Sequence, residues 1–241
     1  MMRALLVRGM LAGLAAAVLA LAVAWIYGEP RIADAIAFEE AAAHAAGDHA
    51  HEEEVVSRTV QQTTGLITAV AVYGTALGGL LAIAFAFAHG RLGGLGARAT
   101  AALVALAGFV AVVVVPFLKY PATPPAVGAP ETIGSRTVLY FGMVALGVLA
   151  TTAAILAGRR LVPRLGPWYA TVATAAGFAV VVAVVFRLTP DPDALPDGFP
   201  ATVLWDFRIA SLGLQLALWA TLGVVFGHLA ERAVARRPAS A

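Results

Sequence analysis

The sequence predicts an all-α integral membrane protein, a six-helix transmembrane bundle with both termini in the cytoplasm. Three observations predict it. Of 241 residues, 61% are hydrophobic and 12% are charged, whereas soluble domains carry about 25% charged residues; mean hydropathy is +0.86. The apolar runs are long and lack a period of two, which favours helices over the strands of a barrel. Basic residues collect on alternate connections, as the positive-inside rule requires of an oriented bundle.

The apolar stretch from Gly9 to Tyr27 (residues 9–27) follows Arg3 and Arg8 and carries an Ala22-Val23-Ala24 signature. It has the outline of a signal peptide, but it is long enough to cross a bilayer, so it reads as an uncleaved first span. Gly28-Glu29-Pro30 is expected to end that helix, because proline lacks the N–H and crowds the preceding turn. A polar loop is expected over 28–57, on the outer side. Its alanine-rich part, Ile32 to Ala46, could fold as an amphipathic helix on the membrane surface. The second span is expected at 59–88, longer than a bilayer needs, so it should tilt or project.

A glycine-rich turn with Arg91 and Arg98 leads to the third span, 99–118. Lys119-Tyr120-Pro121 and Pro124-Pro125 then break the helix. The fourth span is expected at 137–157, a short basic turn at Gly158–Gly166, and the fifth span at 167–188. An acidic, proline-rich loop with Asp191, Asp193 and Asp197 precedes the sixth span, 202–229. Under this topology ten of the sixteen basic residues share the side of both termini with one acid, Glu231. Five spans would place one terminus on the wrong side of that charge pattern.

Several functions are disfavoured by what the chain lacks. There is no cysteine, so disulfides and thiolate chemistry are excluded. The pI near 9.3 does not signal a nucleic-acid partner, since the basic residues sit at helix ends and form no patch. No phosphate-binding loop, zinc-protease motif or nucleophile elbow is present. The expected protein is not an enzyme, and energy for any transport must come from a gradient or another subunit.

One polar stretch stands out in this apolar chain: Glu39 and Glu40, then His44, Asp48, His49, His51, Glu52, Glu53 and Glu54. Imidazoles and carboxylates at this density can hold a divalent cation, and imidazole suits cobalt, nickel, copper or zinc better than magnesium or calcium. The loose spacing suits capture and hand-over, with no cofactor bound permanently. A solvated polar loop explains the same residues. A second set of polar residues sits at outer helix mouths. Arg58 and Gln61 share a helical face. Lys119 and Tyr120 end the third span. Arg208, Ser211, Gln215 and Trp219 form one stripe on the sixth, where Gln215 is deep enough that lipid exposure would be costly. A path lined by Arg58, Gln61, Lys119, Tyr120, Arg208 and Gln215 is one reading. Snorkelling cations and a glutamine bonded to a neighbouring helix are the other. Cationic mouths count against a cation route unless they pair with Glu29, Glu131 or Asp206.

Gly9-x-x-x-Gly13, Gly74-x-x-x-Gly78 and Gly223-x-x-x-Gly227 permit close helix packing, within the bundle or in a homo-oligomer. Arg3-x-x-Leu6-x-x-Gly9-Met10 echoes Arg136-x-x-Leu139-x-x-Gly142-Met143, which would suit an inverted repeat.

Several segments together resemble the CbtA family of predicted cobalt transporter subunits. They are Arg3-Ala-Leu-Leu-Val-Arg-Gly-Met10, Gly28-Glu-Pro30, Ala37-Phe-Glu-Glu40, the histidine-rich loop and Val56-Ser-Arg58 with Gln61. Val115-Pro-Phe-Leu-Lys-Tyr-Pro121, Phe207-Arg208, Gln215 and Trp219 complete the set. The resemblance implies Co²⁺ (or Ni²⁺) uptake across a prokaryotic plasma (inner) membrane, beside a small one-span CbtB-like subunit. It implies five spans, where the charge pattern implies six. Two other functions fit the residues: a non-transporting accessory protein that buffers metal, and a carrier of an anionic solute or metal chelate.

Overall fold

The structure is a computed structural model that describes residues 2–45, 56–125, 127–128, 130–192, 194–196 and 198–235. Among these residues it is helical, with no strand. Five helices are long and apolar enough to cross a membrane: α1 (Met2–Ala45), α2 (Arg58–Ala88), α3 (Ala97–Lys119), α4 (Ile133–Leu188) and α5 (Ala201–Ala235). Two compact units emerge. The first holds 1–106, 123–126 and 197–241; the second holds 107–122 and 127–196.

In the first unit α1 packs against both α2 and α5. Small residues make this possible. Gly9, Ala12, Gly13, Ala16, Ala17 and Ala20 are buried along α1. The two glycine pairs interlock: a Cβ on Gly9 or Gly13 would strike the backbone carbonyls of Gly78 and Gly74, and one on Gly74 would lie 2.7 Å from the Gly13 oxygen. The third pair faces α3, where a Cβ on Gly223 would come within 2.9 Å of the Ala105 Cβ. All three pairs therefore pack within the chain, as close-packed membrane helices do.

Proline does not end the first helix at Gly28–Pro30, as expected. α1 continues to Ala45, so much of the anticipated loop 28–57 is helix, joined end-on to the first span. The turn before the proline widens: residues Ala24–Gly28 form a π turn in which the Glu29 N–H bonds the Ala24 carbonyl. That extra residue rearranges the carbonyls that the ring of Pro30 would otherwise strike. α3 solves the same problem alike, with a π turn at Val110–Val114 just before Pro116. A third π turn, Gln61–Gly65, has no proline to account for it.

The second unit is built on α4, 56 residues with Pro163 and Pro167 inside. At about 1.5 Å per residue it would run about 84 Å, nearly three times a hydrocarbon core of about 30 Å. It does not run straight. Gly166 has φ 74° and ψ 165°, a conformation open essentially to glycine alone, and there the helix reverses. Its arms, 133–165 and 167–188, lie side by side. A Cβ on Gly158 would be 3.5 Å from the Thr174 methyl. Further along, Met143 and Val182 form a buried cluster with Val115, onto which Leu146, Phe178 and Phe186 pack. The expected basic turn at 158–165 is thus helical, and the reversal is confined to Gly166. The most apolar stretch of α4 is 11% buried, against 28–39% in the other four helices, so most of its apolar surface faces away from the chain.

The echo between the starts of the first and fourth predicted spans has no structural counterpart. Gly9 packs against Gly78 while Met10 is exposed; Gly142 meets nothing and Met143 is buried.

Candidate functional site

The wide turn of α1 carries polar residues past the apolar run and sets them against the first turns of α2 and α5. Glu29 and Arg58 form an ion pair there, both largely withdrawn from solvent. Two residues on, Arg31 bonds Asp34 at 3.1 Å and approaches Asp206 of α5 at 3.5 Å. The Trp25 indole donates to the Gln62 carbonyl at 2.8 Å, and the Gln61 amide donates to the Val56 carbonyl at 2.8 Å. Phe38 packs edge-on against Phe199, with ring centroids 5.0 Å apart. Two of the acids weighed as partners for the cationic mouths, Glu29 and Asp206, are therefore engaged by arginines.

Deeper in the same unit, Gln215 of α5 lies beside the hydroxyl of Tyr73 of α2, with Trp219 buried one turn further. At the opposite end of the unit, Arg8 donates to the Leu229 carbonyl at 3.0 Å and Arg98 pairs with Glu231. His89 stacks on Phe85, which meets Phe226 edge-on. His89 lies just past the end of α2 with its ring packed on phenylalanine.

In the second unit Lys119 and Tyr120 act as a staple. The Lys119 ammonium donates to Asp191 at 2.7 Å, and the Tyr120 hydroxyl donates to the Pro190 carbonyl at 2.8 Å. Lys119 is 10% exposed and Asp191 is 93% exposed. The hydrogen bond and positive charge of Lys119 hold the Asp191 carboxyl below the usual carboxylate range. A carboxyl lowered on folding stabilises above its unfolded value, about 3.9, and that contribution fades as pH falls through the lower folded value. The hydrogen-exchange protection factors over 189–192, measured against the intrinsic rate at each pH, are therefore expected to stay constant from pH 8 to about 5 and to fall only below about 4. Lys119→Met should give the low protection at every pH. Undiminished protection in that variant would show that the staple holds nothing.

The predicted metal ligands divide. Glu39, Glu40 and His44 lie exposed on the last turns of α1, and Glu40 and His44, four apart, share a face. Asp48, His49, His51, Glu52, Glu53 and Glu54 lie outside the described residues. Among the described residues no group of three His, Asp or Glu is placed to hold a metal. Two ligands on one helix fall short of a tetrahedral set, so a complete site would need side chains from 46–55. The path residues divide as well. Arg58, Gln61, Arg208 and Gln215 belong to the first unit, and Lys119 and Tyr120 to the second.

Sequence reasoning missed Tyr73 and Asp191. A tyrosine at the middle of a 31-residue apolar helix was the available signal for the first. For the second nothing local pointed from Lys119 to a residue 72 positions away.

A family model described as "Probable cobalt transporter subunit (CbtA)" matches residues 2–231, nearly the whole chain. No curated protein and no solved structure match.

Proposed function

The chain belongs to the CbtA family of probable cobalt transporter subunits, and from that premise we propose that it is the membrane subunit of a divalent transition-metal uptake system, with Co²⁺ or Ni²⁺ as cargo. Glu39, Glu40, His44, Asp48, His49, His51 and Glu52–Glu54 capture the ion outside the cell. The residues proposed to shape its entrance are Arg58, Gln61, Arg208 and Gln215 in the first unit and Lys119 and Tyr120 in the second. The protein sits in a prokaryotic inner membrane and works with a one-span CbtB-like partner.

The observation that carries this reading is the neutralisation of two of the mouth cations. Arg58 is paired with Glu29 and Lys119 with Asp191. Paired cations oppose an arriving metal ion far less than bare ones, and offer little to an anion. That favours a cation over an anionic solute or chelate.

Six spans with both termini in the cytoplasm are part of the proposal. The reversal at Gly166 supports it, since the shorter arm of α4, 167–188, measures about 33 Å and can cross alone. The cysteine-free chain makes the test simple. Met2→Cys and Ser240→Cys should both resist an impermeant thiol reagent in intact cells and both react after lysis. Labelling of one alone in intact cells would leave five spans.

Uptake of radioactive Co²⁺ into vesicles tests the function, first with this protein alone and then with the one-span partner. Replacing His44, His49 and His51 by alanine should lower uptake at limiting metal by about tenfold or more, since even outer-shell losses cost metal sites about 10–100-fold. Uptake unchanged by that variant, but lost on replacing Arg58, Lys119 and Arg208 by glutamine, would turn the reading to an anionic cargo. Uptake indifferent to both would leave an accessory, metal-buffering protein.

A further inference from the structure

Two buried polar atoms near the middle of the first unit have no protein partner: Oε1 of Gln215 and Nε1 of Trp219. Trp219 is only 5% exposed. The two residues are four apart on α5, so they lie on one face a single turn apart. One atom accepts a hydrogen bond and the other donates one, yet they do not bond each other. The Gln215 side chain also lies beside the Tyr73 hydroxyl. Tyr73 lies fifteen residues from each end of α2, about 22 Å along the axis, so the cluster sits near the middle of a long apolar helix.

An orphaned amide oxygen or indole N–H in so apolar a place is costly, because each has given up its hydrogen bonds to water and gained none in return. The chemistry of the pair selects what could relieve it. A bare cation would suit the amide oxygen and be repelled by the positive end of the indole N–H. An anion would suit the indole and be repelled by the amide oxygen. A neutral molecule that both donates and accepts satisfies the two at once, and water is the smallest.

We propose that Gln215 and Trp219 form a binding site for one water molecule, which donates to Gln215 Oε1 and accepts from Trp219 Nε1, with Tyr73 as the positioning residue that orients the amide. The site rests on these three side chains and not on the cargo reading. Its consequence is a fixed, hydrated point halfway along a greasy helix pair.

The test uses full-length protein with ¹⁵N-labelled tryptophan in nanodiscs of deuterated lipid. Its four indole N–H signals are assigned by single Trp→Phe variants. The Trp219 signal should lie downfield, as a bonded indole does, and show a nuclear Overhauser cross-peak to water. Gln215→Leu should move that signal upfield and remove the cross-peak, and Tyr73→Phe should weaken it. An upfield wild-type signal without a water cross-peak would overturn the proposal. So would a downfield signal with no water cross-peak, which would mean a direct bond to Gln215. These wild-type outcomes decide the matter even if a variant fails to fold, and none of them depends on whether Co²⁺ is carried.

Discussion

Gly13→Leu and Gly78→Leu are expected to abolish the folded first unit. A Cβ at either position would collide with the backbone of the facing helix, Gly74 for one and Gly9 for the other. Backbone cannot step aside as a side chain can, so α1 and α2 must separate. Separation also strips packing from Ala12, Ala16 and Ala20, each fully buried on α1. Overpacking in a core costs about 1–3 kcal/mol, occasionally more. These substitutions belong at or above the top of that range, because the strained atoms are carbonyls with no alternative position. Two other glycines, one in each unit, serve as controls. Gly79 meets only the flexible end of Met10, at 3.6 Å, and Gly142 meets nothing. Gly79→Ala and Gly142→Ala should leave expression and thermal denaturation in detergent nearly unchanged. Equal losses in all four variants would mean that the interhelical contacts of Gly13 and Gly78 are not what these substitutions break, since alanine and leucine are both better helix formers than glycine.

The second large effect is expected at Gly166. Its φ of 74° with ψ of 165° lies where a side chain costs about 1–3 kcal/mol in backbone strain, and a β-branched residue is the worst choice. Gly166→Val should therefore open the reversal of α4. The packing lost with it includes the Met143–Val182 cluster. Since Pro163 and Pro167 flank the site, the chain has few other ways to turn there. The expected readout is a protease-sensitive segment near residue 166 and a fall in thermal midpoint, with Gly158→Ala much milder. A Gly166→Val protein of wild-type stability would show that the prolines alone set the bend.

The placement of apolar spans was legible because hydrophobic length survives any detail of packing. The glycine pairs were legible as motifs, although which helix each would meet was not. What misled the reading was proline. Pro30 was expected to stop α1, and the helix crosses it by widening one turn, a tertiary accommodation with no local signature in Ala24–Gly28. At Gly158–Gly166 the arginines suggested a loop, yet they ride on helix up to the single glycine that turns. Of the candidate site, Gln215 was legible as a polar residue too deep for lipid. Its partner Tyr73 was not, because a tyrosine among apolar residues reads as packing until the neighbouring helix is in view.

The helical crossing of Pro30 gives the chain a mast. From Tyr27, where the apolar run ends, to His44 is about 25 Å of helix, anchored low down by the contacts of Arg31 and Phe38. Screening at physiological ionic strength decays over about 8 Å. Glu40 and His44 lie about 20–25 Å of helix beyond the apolar run, and their encounter with dissolved ions is expected to be governed by the bulk medium, the same over anionic as over zwitterionic lipid.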